Sequence, residues 1–252
     1  MIEQERLRVL TYNMHKGYCF YSRRQVLEEL RQAIREVDAE LVFLQEIRGG
    51  QPVESDNGNG EQLQDFESQL EFLADSVWSH YAYGKNAVYQ KGNHGNAILS
   101  RYPVKEWSNI DVSTNPLERR GLLHVVVDCP KQSNLHLVCL HLNLLRRGRE
   151  IQLERLIGRV AAEVKKEPLI IAGDFNDWVQ AVTGRIGGPL EVEEAHHCLH
   201  GHYARTFPSF LPVLCLDRVY YRGLQPNSSQ VLMGKPWTRM SDHAPIVVDF
   251  YS

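Results

Sequence analysis

The chain has 252 residues, of which 43% are hydrophobic and 23% are charged, so we expect residues 1–252 to form one domain with a sizeable core. The formal net charge of -3 argues against a protein held on nucleic acid by bulk electrostatics. The five cysteines show no CxxC spacing, which favours reduced thiols over a disulfide framework. No apolar run is long enough to span a bilayer and no signal peptide is visible, so we expect a cytoplasmic location.

The first half of the chain begins as strand, helix and strand. Residues 7–12 and "ELVFLQE" at residues 40–46 are apolar strand patterns, and residues 24–38 carry helical spacing at Val26, Leu30, Ile34 and Val37. Strands are also predicted around "NAILS" and "LLHVVV". Before them, a second helix is predicted by the spacing of Leu63, Phe66, Leu70 and Leu73.

The same succession returns in the second half. Residues 135–141 and 168–174 are predicted strands, and residues 150–165 between them are a predicted helix with four inward positions: Leu153, Leu156, Val160 and Val164. Strands at "LDRVYY" and "APIVVDF" follow. The continuously apolar runs "LVFL", "LIIA" and "PIVV" indicate sheets covered on both faces, so we predict an α/β sandwich with two similar halves.

Two polar segments leave alternatives open. Residues 48–62 are rich in glycine, asparagine and charge and begin two residues after Glu46, which predicts a mobile loop that is either a lid or a solvated connection. Arg146, Arg147 and Arg149 form a short basic cluster, interpreted either as a local anion-binding group or as a solvated turn before the helix.

Four predicted strands end in side chains that bind cations or move protons. Each one alone has an ordinary explanation as a helix cap. Serine or threonine would cap as well, however, so a set that includes glutamate and histidine favours chemistry. The residues are Asn13, Glu46, His141 with Asn143, and Asp174 with Asn176.

Two further segments add an acid and a histidine. Asp217 lies inside the apolar stretch "CLDRVYY", and a buried lone carboxylate requires a polar partner. Asp242 and His243 precede the last apolar run. A histidine oriented by a carboxylate is the arrangement of a general base, whereas a surface turn is the simpler explanation of His243 taken alone.

The motifs together resemble the endonuclease/exonuclease/phosphatase family, which includes DNase I, abasic-site endonucleases, inositol-polyphosphate 5-phosphatases and neutral sphingomyelinases. They are "LTYNMHKG", "FLQE", "GNAILSRYP", "LHLN", "GDFNDW", "LDRVYY" and "SDHAPI", in family order from about residue 7 to residue 249. GDFN followed by SDH, with QE upstream, is the most specific part. The details are most similar to a bacterial subgroup known by the family name alone.

The resemblance implies a fold and a metal site. The fold is a DNase I-like four-layer α/β sandwich, in which two packed mixed β-sheets are flanked by helices and the site lies at one edge. Glu46 is the implied principal metal ligand, with Asn13 beside it and Asp242 on the opposite rim. Oxygen ligands of this kind suit Mg²⁺, with Mn²⁺ as a substitute.

The resemblance also implies catalytic roles. His243, held by Asp217, would activate or orient the attacking water or stabilise charge on the phosphoryl group. Asp174 would contact the nucleophile or protonate the leaving oxygen. His141 and Asn176 would donate hydrogen bonds to phosphate oxygens, with Asn143 as a weaker candidate for that role. We expect Asp177, by contrast, to cap a helix that starts at Trp178.

The expected function is a Mg²⁺-dependent phosphoester hydrolase, with a phosphodiester favoured over a monoester. Nucleic acid, a phospholipid headgroup and a small phosphodiester all remain as substrates, and no obligate protein partner is indicated. The segment "SFLPVLCL" at residues 209–216 is either an apolar edge for docking at headgroups or a core strand. A non-catalytic phosphate-binding module on the same fold is the alternative function.

Three weaker signals have competing explanations. The segment "HHCLHGH" at residues 196–202 matches no standard zinc spacing, although a transition-metal site is one interpretation. Arg119 and Arg120 either grip a phosphate or form surface ion pairs. Three tryptophans either stack on a base or sugar or belong to the core: Trp107, Trp178 and Trp237.

Overall fold

The computed structural model describes residues 6–15, 23–49, 69–74, 77–89, 92–116, 118–130 and 132–251. Its strands are β1 (Arg6–Asn13), β2 (Leu41–Gly49), β3 (His80–Tyr89), β4 (Gly92–Ser100), β5 (Val104–Asp111), β6 (Gly121–Cys129), β7 (Gln132–His141), β8 (Leu169–Asp174), β9 (Glu193–Glu194), β10 (Asp217–Arg222), β11 (Gln225–Val231) and β12 (Ile246–Tyr251). Its helices are α1 (Arg23–Val37), α2 (Gln69–Ala74), α3 (Arg146–Glu163), α4 (Val182–Leu190), α5 (Ala195–His200) and α6 (Trp237–Met240). The strands and helices predicted in these ranges are present, and the boundaries of two helices and one strand differ from the prediction.

The strands of the described residues form two six-stranded sheets. The first has the order β11-β12-β1-β2-β4-β3 and the second the order β5-β6-β7-β8-β10-β9. Both sheets are mixed, because β1 is parallel to β2 and antiparallel to β12, while β8 is parallel to β7 and antiparallel to β10. The units β1-α1-β2 and β7-α3-β8 are the repeated strand-helix-strand succession seen in the sequence.

Three apolar cores hold the layers together. The central core lies between the sheets and joins residues such as Phe43 of β2 to Val219 of β10. A second core packs the first sheet against α1, α2 and α6, with Leu30 of α1 inside it. A third packs the second sheet against α3 and α4, with Leu156 of α3 fully buried. The predicted four-layer sandwich, with helices outside two packed sheets, is confirmed.

The helix predicted at residues 150–165 begins one turn earlier, at Arg146. The interpretation of the basic cluster as a solvated turn is therefore wrong. Arg149 is buried, and its guanidinium donates hydrogen bonds to the carbonyl oxygens of Asn143 and Leu144. These bonds satisfy two carbonyl oxygens of the segment that leads into the helix.

The helix predicted to start at Trp178 starts instead at Val182. Residues 178–180 form a turn and a bend. Gln180 has a positive φ of 56°, and a right-handed helix does not accommodate this backbone angle. Asp177 still caps the helix, because its carboxylate accepts from the backbone N–H groups of Ala181 and Val182, each at 3.0 Å. The capping role is confirmed, and the helix boundary is corrected.

Parts of two predictions lie outside the described residues. They are residues 50–62 of the predicted loop and the helix positions Leu63 and Phe66. The described part of that helix, α2, buries Leu70 and Leu73. None of the helices described in the structure combines the length and the apolarity needed to cross a membrane.

Candidate active site

The predicted site residues converge because the ends of four strands meet at one edge of the sandwich. Asn13 ends β1, and His141 and Asp174 end β7 and β8, where they lie side by side in the parallel register. Asp217 opens β10 directly opposite Asp174. The Asn13 amide crosses from one sheet to the other and donates to Asp174 Oδ2 at 3.0 Å. The site is therefore built between the two sheets.

A buried histidine-carboxylate pair lies at the centre of this edge. His243 Nδ1 is 2.8 Å from Asp217 Oδ2, and Thr206 Oγ1 donates to the same oxygen at 2.5 Å. Burial lowers the pKa of His243, but the negative charges of Asp217 and Asp174 outweigh it and raise the pKa to about 10. The His243 backbone N–H is held by Ser241 Oγ at 3.1 Å. The imidazole is thus fixed in position and aims Nε2 towards Asp174.

Asp174 contacts more of the candidate site residues than any other single residue that the structure describes. Its Oδ2 lies 3.4 Å from His141 Nε2 and 3.7 Å from His243 Nε2, while its Oδ1 accepts from the Asn176 backbone N–H at 2.9 Å. Burial raises its pKa to about 6, with the attraction of His243 acting in the opposite direction. A carboxyl group with a pKa raised in this way can both accept and return a proton near neutral pH.

Glu46 reaches the site from a bulge and not from the end of its strand. The prediction that β2 ends at Glu46 is wrong, because its pairing with β4 shifts register between Leu44 and Ile47 and then continues to Gly49. Glu46 has a φ of 56°. A bulge of this kind redirects a side chain within a continuing strand. Glu46 Oε1 consequently lies 3.8 Å from His141 Nδ1.

The second oxygen of Glu46 is a structural sign of a cation. Oε2 is buried and has no hydrogen-bond partner among the described residues. An unpartnered buried carboxylate oxygen is unfavourable unless a cation compensates it. The residues present therefore fit a hard divalent ion at Glu46.

Asp242 enters the site through a residue that the sequence analysis missed. Its Oδ1 lies 3.2 Å from His15 Nδ1, and the His15 backbone N–H donates to Asn13 Oδ1 at 3.0 Å. Asp242 is therefore linked to Asn13 and, through it, to Asp174. The signal for His15 was its place in "YNMHKG", two residues after Asn13. The Asn13 oxygen retains one lone pair for a metal ion.

The two asparagines predicted to bind phosphate differ in their surroundings. Asn176 has a left-handed φ of 48°, and its amide donates to the Leu142 carbonyl at 2.9 Å, which leaves one amide hydrogen for a ligand. The Asn143 amide instead donates to Thr114 and accepts from Gln152, each at 2.7 Å. Asn143 therefore ties α3 to the segment that follows β5, while Asn176 remains the better candidate donor.

One cluster of ligand types also has metal-site spacing. Ligand atoms of Asp174, Asp217 and His243 all lie within 4.8 Å of one another, the only such set in the part of the chain that the structure describes. Asp217 Oδ2 already bonds both His243 and Thr206. Asp217 Oδ1, like Glu46 Oε2, is buried without a hydrogen-bond partner among the described residues. We interpret the set as a hydrogen-bonded relay.

The weaker candidates lie outside this cluster. The rings of His196 and His200 are tilted by 43° with their centroids 4.4 Å apart, and both bond Ser229, through its hydroxyl and its carbonyl respectively. Arg120 pairs with Glu118 at 2.9 Å, as the ion-pair explanation predicts. Trp237 is buried, whereas two tryptophans are exposed: Trp107 and Trp178.

The family model for the endonuclease/exonuclease/phosphatase family matches residues 10–243 of this chain. The chain belongs to that family. Its members are generally phosphoester hydrolases. Among similar sequences is the uncharacterized protein YbhP of Escherichia coli (strain K12), 40% identical over 253 residues, which cover 99% of this chain and 98% of YbhP.

Solved structures of the endonuclease/exonuclease/phosphatase family share the fold. A family member from Beutenbergia cavernae matches with a TM-score of 0.72 and 19% identity, covering 98% of this chain and 71% of that one. The structure of D. rerio TDP2 complexed with single strand DNA product matches with a TM-score of 0.73 and 20% identity, covering 98% and 99%. At identities of 19% and 20%, the similarity between these structures and the present chain concerns the fold alone.

Proposed function

We propose that the protein is a Mg²⁺-dependent hydrolase that cleaves a phosphodiester. The observation that carries the proposal is the contact of Asp174 with three side chains from separate segments: Asn13, His141 and His243. The His243 imidazole is in turn held by Asp217. A buried acid between two histidines and an amide has the groups that phosphoester hydrolysis requires, namely proton carriers and hydrogen-bond donors close together.

Three residues would hold the metal ion. Glu46 supplies the unpartnered oxygen, and Asn13 and Asp242 supply the others. A set with few protein ligands suits Mg²⁺, which keeps several of its waters and binds substrate phosphate directly, and Mn²⁺ is a chemical substitute. When bound, the ion would supply positive charge to the phosphoryl oxygens and leaving group.

The remaining roles belong to the chain itself. Asp174 contacts the attacking water or returns a proton to the leaving oxygen. His243, oriented by Asp217, either orients that water or stabilises negative charge on the phosphoryl group. His141 and Asn176 donate hydrogen bonds to the non-bridging oxygens, where charge must be stabilised as the bond breaks.

The proposed substrate is a phosphodiester. Nucleic acid, a phospholipid headgroup and a small phosphodiester all provide that chemistry. The D. rerio TDP2 structure is a complex with single strand DNA product. For the present chain, a formal net charge of -3 gives no support to binding along a duplex.

A screen of hydrolysis over several substrates tests the proposal. Purified protein is incubated with Mg²⁺ or with EDTA and one of five substrates: bis-p-nitrophenyl phosphate, plasmid DNA, abasic DNA, inositol phosphates or phospholipid vesicles. We expect EDTA-sensitive cleavage of at least one substrate, lost in Asp174→Asn. Silence across the panel, with Mg²⁺ binding verified by calorimetry, would instead support a non-catalytic phosphate-binding module.

A further inference from the structure

Exposed apolar side chains are concentrated in three loops. Ten large apolar residues are exposed in the described part of the chain, and seven of them belong to segments 144–145, 178–179 and 210–213. Their most exposed members are Leu145, Val179, Phe210 and Leu211, with 72%, 68%, 76% and 65% exposure. We call these three segments the apolar rim.

The apolar rim lies at the edge of the sandwich that holds the candidate site. Segment 144–145 follows His141, segment 178–179 follows Asp174, and segment 210–213 precedes Asp217, and these three strand-end residues are neighbours in the sheet. Phe207 connects the rim to the chemistry, because its ring centroid is 5.1 Å from that of His243 and 6.5 Å from that of Trp178. A molecule resting on the rim would therefore rest at the mouth of the site.

Segment 209–216 resolves one alternative that the sequence left open. It forms no core strand, since Phe210, Leu211 and Val213 face solvent. The loop is nevertheless held firmly at both ends. The Ser209 backbone N–H donates to the Asp242 carbonyl at 2.7 Å, and those of Val213 and Leu214 donate to the Phe207 carbonyl at 2.9 and 2.8 Å.

Covering these exposed side chains would be favourable. Exposed apolar area costs roughly 25 cal/mol per Å² relative to burial, and a fixed loop cannot fold these side chains inward. A contiguous apolar surface beside a site is typical of a docking surface. A soluble phosphodiester in the polar pocket would leave the tips of Phe210 and Leu211 in water.

The charges beside the apolar rim select the occupant. Arg146 and Arg147 directly follow Leu145 and are exposed, and Arg205 is exposed just before the loop that carries Phe210. Arg146 pairs with Glu150 at 2.9 Å, whereas neither Arg147 nor Arg205 forms an ion pair with a described residue. Aromatic and aliphatic tips with arginines beside them suit the headgroup region of an anionic bilayer, where the tips enter the acyl boundary and the arginines meet phosphate. Nucleic acid would have no use for the aliphatic tips.

We propose that the apolar rim docks on a phospholipid bilayer and presents a lipid headgroup phosphodiester to the site. This inference rests on the proposed function and adds its substrate class. Docking brings the ester bond to Asp174 and His243 while the acyl chains stay in the membrane. The overall charge of -3 leaves attraction to the bilayer to the local arginines.

Sedimentation with vesicles tests the docking step separately from hydrolysis. The protein carries Asp174→Asn so that the lipid stays intact, and the vesicles contain equal amounts of phosphatidylglycerol and phosphatidylcholine. The variant Phe210→Ser/Leu211→Ser is compared with Trp107→Ser, a matched change of an exposed side chain in the middle of β5. We expect the rim variant to bind vesicles at least about tenfold more weakly, given the apolar area removed, and Trp107→Ser to bind as its parent does.

The outcomes separate the two proposals. Thermal unfolding of each variant verifies folding. Hydrolysis of bis-p-nitrophenyl phosphate, measured in proteins that keep the native Asp174, reports on the site without a membrane. Turnover of this soluble ester without any vesicle binding overturns the docking inference and leaves the proposed function intact. A dimer in sedimentation equilibrium that Phe210→Ser/Leu211→Ser abolishes would also overturn it, because the rim would then join two copies of this chain. Absence of all turnover, with Mg²⁺ bound, contradicts the proposed function instead.

Discussion

His243 Nδ1 lies 2.8 Å from Asp217 Oδ2, although 26 residues separate them in the chain. The pair is buried, and Asp217 Oδ2 also accepts from Thr206. A carboxylate in this position fixes both the orientation of the imidazole and which of its nitrogens faces the site. The pair is therefore the part of the site whose function is simplest to test by a nearly isosteric change.

Asp217→Asn should lower hydrolysis by at least about 100-fold, the usual loss when a general base or key electrostatic group is disabled. The shape is kept, but the charge that holds His243 is removed. Turnover of bis-p-nitrophenyl phosphate is the measurement, and Asp128→Asn, on an acid whose side chain is 53% exposed, is the control. Normal turnover by folded Asp217→Asn would contradict the role of the pair.

Glu46→Gln should stabilise the protein in the absence of metal and remove the stabilisation that Mg²⁺ gives to the wild type. Without metal, the variant should unfold at a higher temperature than the wild type, because a buried carboxylate oxygen without a partner is replaced by a neutral amide. With Mg²⁺ the wild type should gain stability by binding, and the variant should not. Thermal unfolding in EDTA and in Mg²⁺ measures both effects, with exposed Glu154→Gln as the control. An equal gain from Mg²⁺ in both proteins would place the ion elsewhere.

Asp174 and Asp177 are three positions apart and should fail in opposite ways. Asp177→Ala removes the acceptor for Ala181 and Val182, so it should cost at least about 1–2 kcal/mol of stability, the range for a lost helix cap. It also removes the carboxylate that lies 4.0 Å from the buried guanidinium of Arg218, which adds to that cost. Its turnover per folded molecule should stay close to that of the wild type. Asp174→Asn should lose turnover and keep the fold. Urea unfolding and initial rates on both variants decide, and a catalytic loss in Asp177→Ala matching that of Asp174→Asn would refute the distinction.

His124 should lower the free energy of unfolding as the pH falls from 6.5 towards 4. Burial, then the charges of His136 and Arg159, lower its pKa from 6.5 to about 4. His136 in turn bonds Glu167 at 2.6 Å. As the pH falls from 6.5 towards 4, His124 is protonated in the unfolded chain but stays neutral in the native protein. The free energy of unfolding therefore falls across this pH range.

Removing the imidazole tests that window. His124→Gln does not titrate, so its free energy of unfolding should depend less steeply on pH between 6.5 and 4 than that of the wild type. Urea unfolding at several pH values in this range gives both curves. Parallel curves would show that the native and unfolded states of His124 bind protons alike.

Much of the fold could be predicted because apolar runs report directly on buried strands. The runs around Phe43, Ile171 and Val248 proved to be central strands. The family motifs then located Asp174, Asp217 and His243, whose mutual contacts depend on strand register that no single segment encodes. Sequence alone could identify the residue types but not the distances between them.

The errors came from local geometry. The bulge at Glu46 depends on a positive φ and on pairing with β4, neither of which leaves a sequence period. The left-handed backbone of Gln180 is incompatible with a helix starting at Trp178, and the start of α3 at Arg146 is marked by no capping side chain. His15 was missed because its role arises only when Asp242, far along the chain, folds beside it.

The most direct test of the central claim is the initial rate of bis-p-nitrophenyl phosphate hydrolysis as Mg²⁺ is added to metal-free protein. Wild type and Asp174→Asn are measured side by side. The account predicts a rate that rises with Mg²⁺ and saturates in the wild type, and a rate at least about 100-fold lower in the variant. Equal rates in the two folded proteins, or a wild-type rate indifferent to Mg²⁺, would contradict it.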